Sequence, residues 1–257
     1  MQSLKGQAAL VTGSSQGIGA GIAKTLAANG ARVLVHGLKE GSGAAVAGAI
    51  RDAGGEAFAF EGNLQDADFC RSLVAETILR FGRIDILVNN AGVVHRSNIE
   101  NNTLELWDEV MAVNLRAPFI LCQESVKDMK RRSSGCIINI GSVNAYIGGL
   151  KLLAYSSSKG GLMTFTKNLA SYLTRYKIRV NQINPGWVLT EGEHYVESVV
   201  EGRGENWLEG ALKSRPFGRM LLPADIAHAA LFLATSDLVT GAVIDCEQMP
   251  VGALPEL

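Results

Sequence analysis

The chain has 257 residues, of which 47% are hydrophobic and 19% are charged, so it has enough apolar material for a folded core and is not expected to be disordered. Its 24 Lys and Arg residues balance 25 Asp and Glu residues, which gives no electrostatic basis for nucleic-acid binding. No apolar run approaches the roughly 20 residues that span a membrane. The four cysteines are dispersed without metal-ligand spacing, which predicts free thiols in a reducing cytoplasm and no metal site.

Strand-like and helix-like segments alternate along the chain, which predicts one large α/β domain (1–257) built from βα units around a parallel sheet. Short apolar runs predict strands at Ala8–Val11, Arg32–His36, Ala57–Glu61, Ile84–Val88, Cys136–Ile140, Arg179–Ile183 and Ala242–Asp245. Helical patterns lie near Ile18–Ala28, Gly43–Ala53, Phe69–Phe81, Leu104–Met129, Tyr155–Arg175 and Ala224–Ala234. The long segment 190–222 is predicted to be irregular, which is typical of a lid over a binding site.

A glycine-rich segment, Thr12–Gly19 (TGSSQGIG), joins the first predicted strand to the first predicted helix. Its glycines allow a close backbone approach, and the free N–H groups and dipole of a helix start attract phosphate. The spacing is G-x-x-x-G-x-G rather than the commoner G-x-G-x-x-G. The segment indicates dinucleotide binding, and an ordinary strand–helix turn is the alternative.

Tyr155 and Lys159 lie four residues apart in YSSSK, and Ser142 precedes the tyrosine by thirteen residues. On a helix, a spacing of four puts both side chains on one face. An ammonium beside a phenol lowers the pKa of the phenol, so Tyr155 is expected to exchange a proton with an alcohol or ketone. A surface Tyr–Lys pair is the alternative, because the pattern is common by chance.

Taken together and in order, these motifs resemble the short-chain dehydrogenase/reductase family from about Gln7 to Asp245. The segment Thr12–Gly19 resembles the cofactor loop of the family, Asn89–Gly92 its NNAG segment, and Pro185-Gly186 its PG pair. The resemblance implies a Rossmann-like doubly wound parallel sheet of about seven strands with helices on both faces. It also implies an oxidoreductase that moves a hydride between a nicotinamide cofactor and a secondary alcohol or ketone.

The resemblance assigns four catalytic positions. It makes Tyr155 the proton donor in ketone reduction and the base in alcohol oxidation. Lys159 is implied to lower the tyrosine pKa and to bind the nicotinamide ribose. Ser142 would polarise the substrate carbonyl, and Asn114 would hold a water that links Lys159 to solvent, with a buried structural amide as the alternative for Asn114.

The choice of cofactor rests on the segment after the second strand. The position where an acidic residue binds the ribose 2′-OH is Gly37, so nothing repels a 2′-phosphate, and Lys39 attracts one. NADP(H) is therefore favoured over NAD(H), although Gln16 and Leu38 stand where NADP-preferring relatives often carry basic residues. The expected cofactor-binding set also contains Tyr155 and Lys159, and its other members are Gly13, Ser15, Gln16, Gly17, Ile18, Gly19, Gly37, Leu38, Lys39, Asn63, Leu64, Asn90, Ala91, Gly92, Pro185, Gly186, Val188 and Thr190.

Polar residues in the segments that wall the site suit a substrate with several hydroxyls, so a sugar, sugar acid or polyol is the first expectation. The expected substrate contacts are Ser142, Asn144, His95, Trp187 and His194. A solvated loop position is the alternative for His95, Arg96 and His194. Glutamates recur every four residues from Glu193 to Glu209, which is most simply a solvated face but would disfavour an anionic substrate if it lined the entrance.

Two other functions stay open. A 3-oxoacyl-thioester reductase is the runner-up, since the basic run Lys130–Arg132 offers a docking patch, although favourable charge at a helix C-terminus explains it as simply. A non-catalytic nicotinamide-binding sensor or scaffold is the alternative from another class. The resemblance further implies a cytoplasmic homotetramer, and the unusual end of the last strand (IDCEQM) leaves its interface open.

Overall fold

The computed structural model describes residues 3–250. Its seven strands form one sheet in which every pairing is parallel, in the order β3-β2-β1-β4-β5-β6-β7. The predicted strands are confirmed to within about two residues at each end. Their bounds are β1 Ala8–Val11, β2 Arg32–Gly37, β3 Glu56–Glu61, β4 Ile86–Asn89, β5 Gly135–Ile140, β6 Ile178–Pro185 and β7 Val243–Cys246.

Both faces of the sheet are covered, which is why the strands read as continuous apolar runs. In β1, Ala9 and Val11 join one buried cluster and Ala8 and Leu10 join the other, as the alternation of a pleated strand requires. The doubly wound architecture is therefore confirmed. Within residues 3–250, no helix is both long and apolar enough to span a bilayer.

The helices divide between the two faces. One face carries α1 Gly17–Ala28, α2 Ala44–Asp52 and α9 Pro223–Thr235, and the other carries α3 Ala67–Phe81, α5 Ala117–Arg132 and α6 Leu153–Leu173. Three shorter helices are α4 Leu104–Met111, α7 Glu191–Tyr195 and α8 Trp207–Lys213.

The single helix predicted over Leu104–Met129 is broken in the structure. A π-helical turn, Ala112–Arg116, separates α4 from α5, and the helical region then continues to Arg132. Pro118 lacks the N–H that would bond the carbonyl of Asn114 four residues earlier, so regular α-helix cannot pass through this point. Turns of this kind are frequent at functional sites.

The expectation of an irregular segment at 190–222 is also wrong in part. Two short helices, α7 and α8, and a π-helical turn, Val196–Val200, lie within it. A small apolar cluster built on Trp207 and Met220 packs against Trp187, and Val188 forms an isolated bridge with Leu221. The lid segment, residues 190–222, is thus an ordered unit.

Candidate active site

The predicted site residues gather at one edge of the sheet. Parallel strands bring all their carboxyl ends to the same edge, and the strand order reverses between β1 and β4. Such a reversal opens the crevice in which α/β proteins bind ligands. The glycine-rich segment follows β1, and the NNAG segment overlaps the end of β4.

The glycine-rich turn has no room for side chains on its inner side. A Cβ atom at Gly13 would lie 2.8 Å from Cα of Ala91, and one at Gly19 would lie only 2.3 Å from the carbonyl oxygen of Gly13. Gly13 and Gly17 also have positive φ angles of 59° and 55°. Helix α1 begins at Gly17, and no side chain caps it. A bare backbone facing an uncapped helix start fits the pyrophosphate of a dinucleotide.

His36, which the sequence analysis did not single out, holds this turn in place. Its buried ring accepts a hydrogen bond from the N–H of Gly13 on Nδ1 at 3.0 Å, so Nε2 carries the proton and donates to the carbonyl of Gly62 at 3.1 Å. Burial lowers the pKa of His36, which favours this neutral form. The sequence signal for this role is a histidine directly before Gly37 at the end of β2.

The NNAG segment is bonded to the same turn. The hydroxyl of Thr12 accepts the N–H groups of Asn90 and Ala91 at 2.9 and 3.0 Å. The amide of Asn90 donates to the carbonyls of Thr12 and Gly13 at 2.9 and 3.0 Å. The two segments predicted to bind cofactor therefore form one rigid wall.

The residues expected at the adenosine end lie after β2 and β3. Leu38 and Lys39 are exposed, and a Cβ atom at Gly37 would lie 2.1 Å from Oγ of Ser42, so the fold excludes a carboxylate side chain at that position without rearrangement. Asn63 accepts the N–H of Gln65 at 2.9 Å. Leu64 is buried in the core and offers at most its backbone to a ligand.

Ser142 and Tyr155 line the same cavity, which has a volume of about 540 Å³. Ser142 follows β5, and its hydroxyl accepts hydrogen bonds from the backbone N–H and the side-chain amide of Asn144 at 3.1 and 3.2 Å. Those bonds fix the oxygen and leave its own proton to donate. The backbone N–H of Ser142 is held in turn by Oδ1 of Asn184 at 3.1 Å.

Lys159 and Asn114 meet beside Gly92. The buried ammonium of Lys159 donates to the carbonyl of Ile140 at 2.8 Å. The amide of Asn114 bonds both backbone groups of Val93, at 2.8 and 3.0 Å, from within the π-helical turn. A Cβ atom at Gly92 would lie 3.4 Å from Oδ1 of Asn114 and 3.6 Å from Nζ of Lys159. Three of the four predicted catalytic side chains, Ser142, Tyr155 and Lys159, therefore line one cavity, and Asn114 lies beside Gly92 outside the lining.

The pKa of Tyr155 differs from the expectation. Burial raises it above the ordinary value of a tyrosine, a hydrogen bond with Ser142 lowers it, and the charge of Glu193 raises it. Burial of the phenol outweighs any lowering of its pKa by Lys159, whose Nζ lies 5.6 Å from the centroid of the Tyr155 ring. Burial also lowers the pKa of Lys159 itself to about 8, and its ammonium donates to the carbonyl of Ile140.

The cavity lining contains some of the predicted binding residues and not others. Those present are Ile18, Asn90, Gly92, Ser142, Asn144, Tyr155, Lys159, Pro185, Gly186, Trp187, Val188 and Thr190. His95 instead bonds Glu109 of α4 at 3.1 Å. His194 accepts the indole N–H of Trp207 at 3.0 Å and faces Glu205 at 3.3 Å. Both histidines thus lie outside the lining.

The glutamates of the lid segment do not form a solvated face throughout. Glu193 and Glu197 line the cavity, and Glu197 is only 3% exposed. Arg96 bonds Glu197 at 2.9 Å and Glu201 at 3.0 Å, so it is not a solvated loop residue. Only the distal part of the repeat, Glu205 and Glu209, is exposed.

The C-terminal segment also reaches the cavity. Glu247 follows β7, lies 3.5 Å from Arg215 of the lid segment, and fills the space beside Gly186, where a Cβ atom would lie 2.0 Å from its carboxylate. Gln248 accepts the N–H of Phe217 at 3.0 Å. The unusual residues after the last strand therefore help to hold the lid, a role that the sequence pattern did not indicate.

No group of three or more potential metal ligands occurs among the residues that the structure describes. The described edge of the sheet presents backbone N–H groups, hydroxyls and one buried ammonium. This donor set suits phosphates and a nicotinamide ribose.

Comparison with known proteins agrees with this geometry. The family model for short chain dehydrogenases matches residues 7–199. An uncharacterized oxidoreductase of Methylorubrum extorquens is 40% identical over 95% of this chain and 98% of its own length. A candidate NAD(P)-dependent gluconate 5-dehydrogenase from Beutenbergia cavernae, with bound NADP, superposes with a TM-score of 0.87 at 33% identity and covers 96% of this chain and 97% of its own.

A second solved structure extends the comparison to another substrate class. It is a 3-oxoacyl (acyl-carrier-protein) reductase from Agrobacterium tumefaciens with NADP bound, with a TM-score of 0.86 at 32% identity, covering 95% of this chain and 93% of its own. The range matched by the family model, 7–199, includes the glycine-rich turn and the four predicted catalytic positions. The chain belongs to the short-chain dehydrogenase/reductase family and is an oxidoreductase that acts on CH–OH or ketone groups with a nicotinamide cofactor.

Proposed function

We propose that this protein interconverts a secondary alcohol and a ketone on a sugar, sugar acid or polyol, with NADP(H) favoured over NAD(H). The observation that carries the proposal is the convergence of Ser142, Tyr155 and Lys159 on one cavity beside the glycine-rich turn. The polar lining contributed by Asn144 and Glu193 supports a substrate with several hydroxyls.

The chemistry divides between cofactor and protein. When bound, the nicotinamide accepts or supplies the hydride. Tyr155 donates a proton to the ketone oxygen in reduction and withdraws the hydroxyl proton in oxidation. Ser142 donates its free proton to the same oxygen and so holds it in line with the phenol. Lys159, with its pKa lowered to about 8, supplies positive charge near the proton path and bonds the ribose.

NADP(H) is proposed because Gly37, the last residue of β2, puts no acid at the position that would bind the ribose 2′-OH, and because Lys39 two residues later is an exposed cation. Replacing Lys39 with Ala is expected to weaken NADP⁺ binding about tenfold, because one partly exposed contact between a charge and a phosphate is lost. NAD⁺ binding should be unchanged. Fluorescence titration with both cofactors measures this. Lys24→Ala, which removes an exposed lysine from α1, is the control for net charge.

A 3-oxoacyl-thioester reductase remains the second candidate, favoured by the likeness to the Agrobacterium enzyme. The basic run proposed as its docking patch is largely engaged. Arg132 bonds Asp85 and Asp128 at 2.7 and 2.8 Å, and the Lys130 ammonium lies 4.3 Å from the ring centroid of Tyr176. These contacts favour the interpretation that the basic run stabilises the end of helix α5 and does not serve as a docking patch.

The single domain, the cytoplasmic location and the homotetramer remain part of the proposal. The family likeness supports all three, and light scattering coupled to gel filtration tests the tetramer by its mass.

Cofactor reduction by the purified protein tests the function. NAD⁺ and NADP⁺ are offered separately with sugars, sugar acids, polyols and 3-hydroxyacyl thioesters, and Tyr155→Phe is the control. Turnover of a polyhydroxylated substrate with NADP⁺ is expected. Turnover of thioesters alone would transfer the assignment to the second candidate. Tight cofactor binding without turnover on the whole panel would favour a binding-only protein.

A further inference from the structure

We propose that Glu193 accepts a substrate hydroxyl and thereby selects neutral polyhydroxylated substrates over those that carry a carboxylate. The inference rests on the proposed function, since it concerns the same cavity. It narrows the substrate class to sugars and polyols and makes Glu193 a specificity-determining residue.

The position of Glu193 is fixed from two sides. Thr190 caps the start of α7 by accepting the N–H of Glu193 at 3.1 Å. The indole of Trp187 donates to Oε1 of Glu193 at 2.6 Å and helps to offset the burial that raises the pKa of this carboxyl. With Oε1 engaged, Oε2 is the oxygen that remains to accept a further hydrogen bond.

Glu193 lies next to the reacting groups. It lines the same cavity as Ser142 and Tyr155. Burial is the main cause of the raised pKa of Tyr155, and the charge of Glu193 adds a smaller increase, as expected for two groups on one cavity. A substrate whose reacting carbon is held by Ser142 and Tyr155 therefore presents its neighbouring carbons to Glu193.

The arginines that line the cavity are engaged elsewhere. Arg96 and Arg203 each bond Glu197 at 2.9 Å, and Arg215 lies 3.5 Å from Glu247. In the described part of the lining, each of the three therefore already has a carboxylate partner. Glu193, by contrast, accepts its hydrogen bond from a neutral indole.

This distribution of charge discriminates between substrates. A substrate carboxylate would share an arginine whose charge is already balanced by a glutamate, and it would also face the charge of Glu193 in a partly desolvated cavity. A hydroxyl donor meets neither obstacle and finds a carboxylate oxygen as its acceptor. A single charge-assisted hydrogen bond changes affinity by about tenfold or more, so we expect a preference of about that size for the neutral substrate.

The test compares matched substrates that differ at one terminus. Pentitols and hexitols are assayed beside the aldonates of the same configuration, with NADP⁺ or NAD⁺ as the cofactor that the protein uses. The wild-type protein is expected to prefer the neutral member by at least about tenfold in kcat/KM. Glu193→Gln keeps the shape and an acceptor for Trp187 but removes the charge, so we expect this preference to fall about tenfold or more, mainly through KM.

Glu191→Gln is the matched control, because it removes an exposed carboxylate from the same helix α7 outside the cavity lining, and we expect it to leave the preference unchanged. A wild-type preference for aldonates, or an equal effect of both variants, would overturn the inference and leave the proposed function standing. Turnover of thioesters alone would overturn the substrate proposal and the inference together.

Discussion

Arg96 is one of the residues that hold the lid segment against the rest of the chain. It bonds Glu197 at 2.9 Å and Glu201 at 3.0 Å, and Glu197 is 3% exposed. Removing one partner of a buried ion pair costs about 3–5 kcal/mol. Glu197 retains Arg203, and Arg96 is itself 28% exposed, so we expect Arg96→Met to weaken lid closure by about 1–3 kcal/mol.

Hydrogen exchange measures this effect directly. A loss of 1–3 kcal/mol raises the population of the open lid by roughly 5- to 150-fold, so amides of α7 and α8 should exchange faster by that factor. Amides of the central strands should keep their protection, and KM should rise because the site is closed less of the time. The effect is local because the lid has its own small apolar cluster around Trp207.

Lys151→Met is the matched comparison. Its ammonium bonds Glu201 at 3.1 Å, but it is 64% exposed, and an exposed pair contributes only about 0–1 kcal/mol. If the two variants changed the exchange of the lid equally, or if Arg96→Met changed neither exchange nor KM, the interpretation of Arg96 as a residue that holds the lid would be refuted.

Three further expectations concern the reacting groups and the cofactor turn. Tyr155→Phe should lower kcat about 10²- to 10⁴-fold in steady-state assays, because the group that exchanges the proton is removed. Burial lowers the pKa of Lys159 to about 8, whereas the ordinary value is 10.5, so the unfolded chain binds more protons between these values and stability should rise with pH across that window. Denaturant unfolding should show a gain of up to about 3 kcal/mol from pH 8 to 10.5 relative to Lys159→Met. Gly19→Ala would place a Cβ atom 2.4 Å from the amide nitrogen of Asn90, so cofactor titration should show at least about tenfold weaker binding. Gly48→Ala, where the nearest contact is 3.9 Å, should not change it.

The sequence predicted the sheet well because its signals are local. Buried strands such as β1 are short apolar runs, and the spacing of Gly13, Gly17 and Gly19 is a pattern within one short segment, although the close contacts at Gly13 are with distant Ala91. The break before α5 was also encoded, in Pro118, but the strong helical pattern on both sides concealed it. The four catalytic positions were predicted from spacing and family resemblance together, and their roles stay predictions.

The charged wall of the cavity was not predictable in the same way. A four-residue repeat of glutamates is typical of a solvated helix face, and nothing within 191–209 shows that Arg96, about a hundred residues earlier, lies against it. Likewise, the pKa of Tyr155 depends on burial and on Glu193, whereas the YSSSK spacing pointed only to Lys159. Long-range pairings of this kind determine which charged side chains face the cavity and how their pKa values shift, and they form only in the tertiary fold.

The geometry of Ser142 depends on such a long-range arrangement. Paired positions on β4, β5 and β6 carry Asn89, Asn139 and Gln182. These amides are linked by Asn89 to Asn139 at 2.8 Å, by Asn139 to the hydroxyl of Thr166 at 2.8 Å, and by that hydroxyl to Gln182 at 3.0 Å.

Gln182 then donates to Oδ1 of Asn184 at 2.7 Å, and the same oxygen accepts the backbone N–H of Ser142. Asp245 of β7 accepts from the other end of the Asn184 amide at 3.0 Å, which fixes its orientation. A buried amide without its partner is costly, which restricts the arrangements that this row can adopt. The backbone of Ser142, the serine predicted to polarise the substrate, is thus positioned through amides on β4, β5 and β6 and the carboxylate of Asp245 on β7.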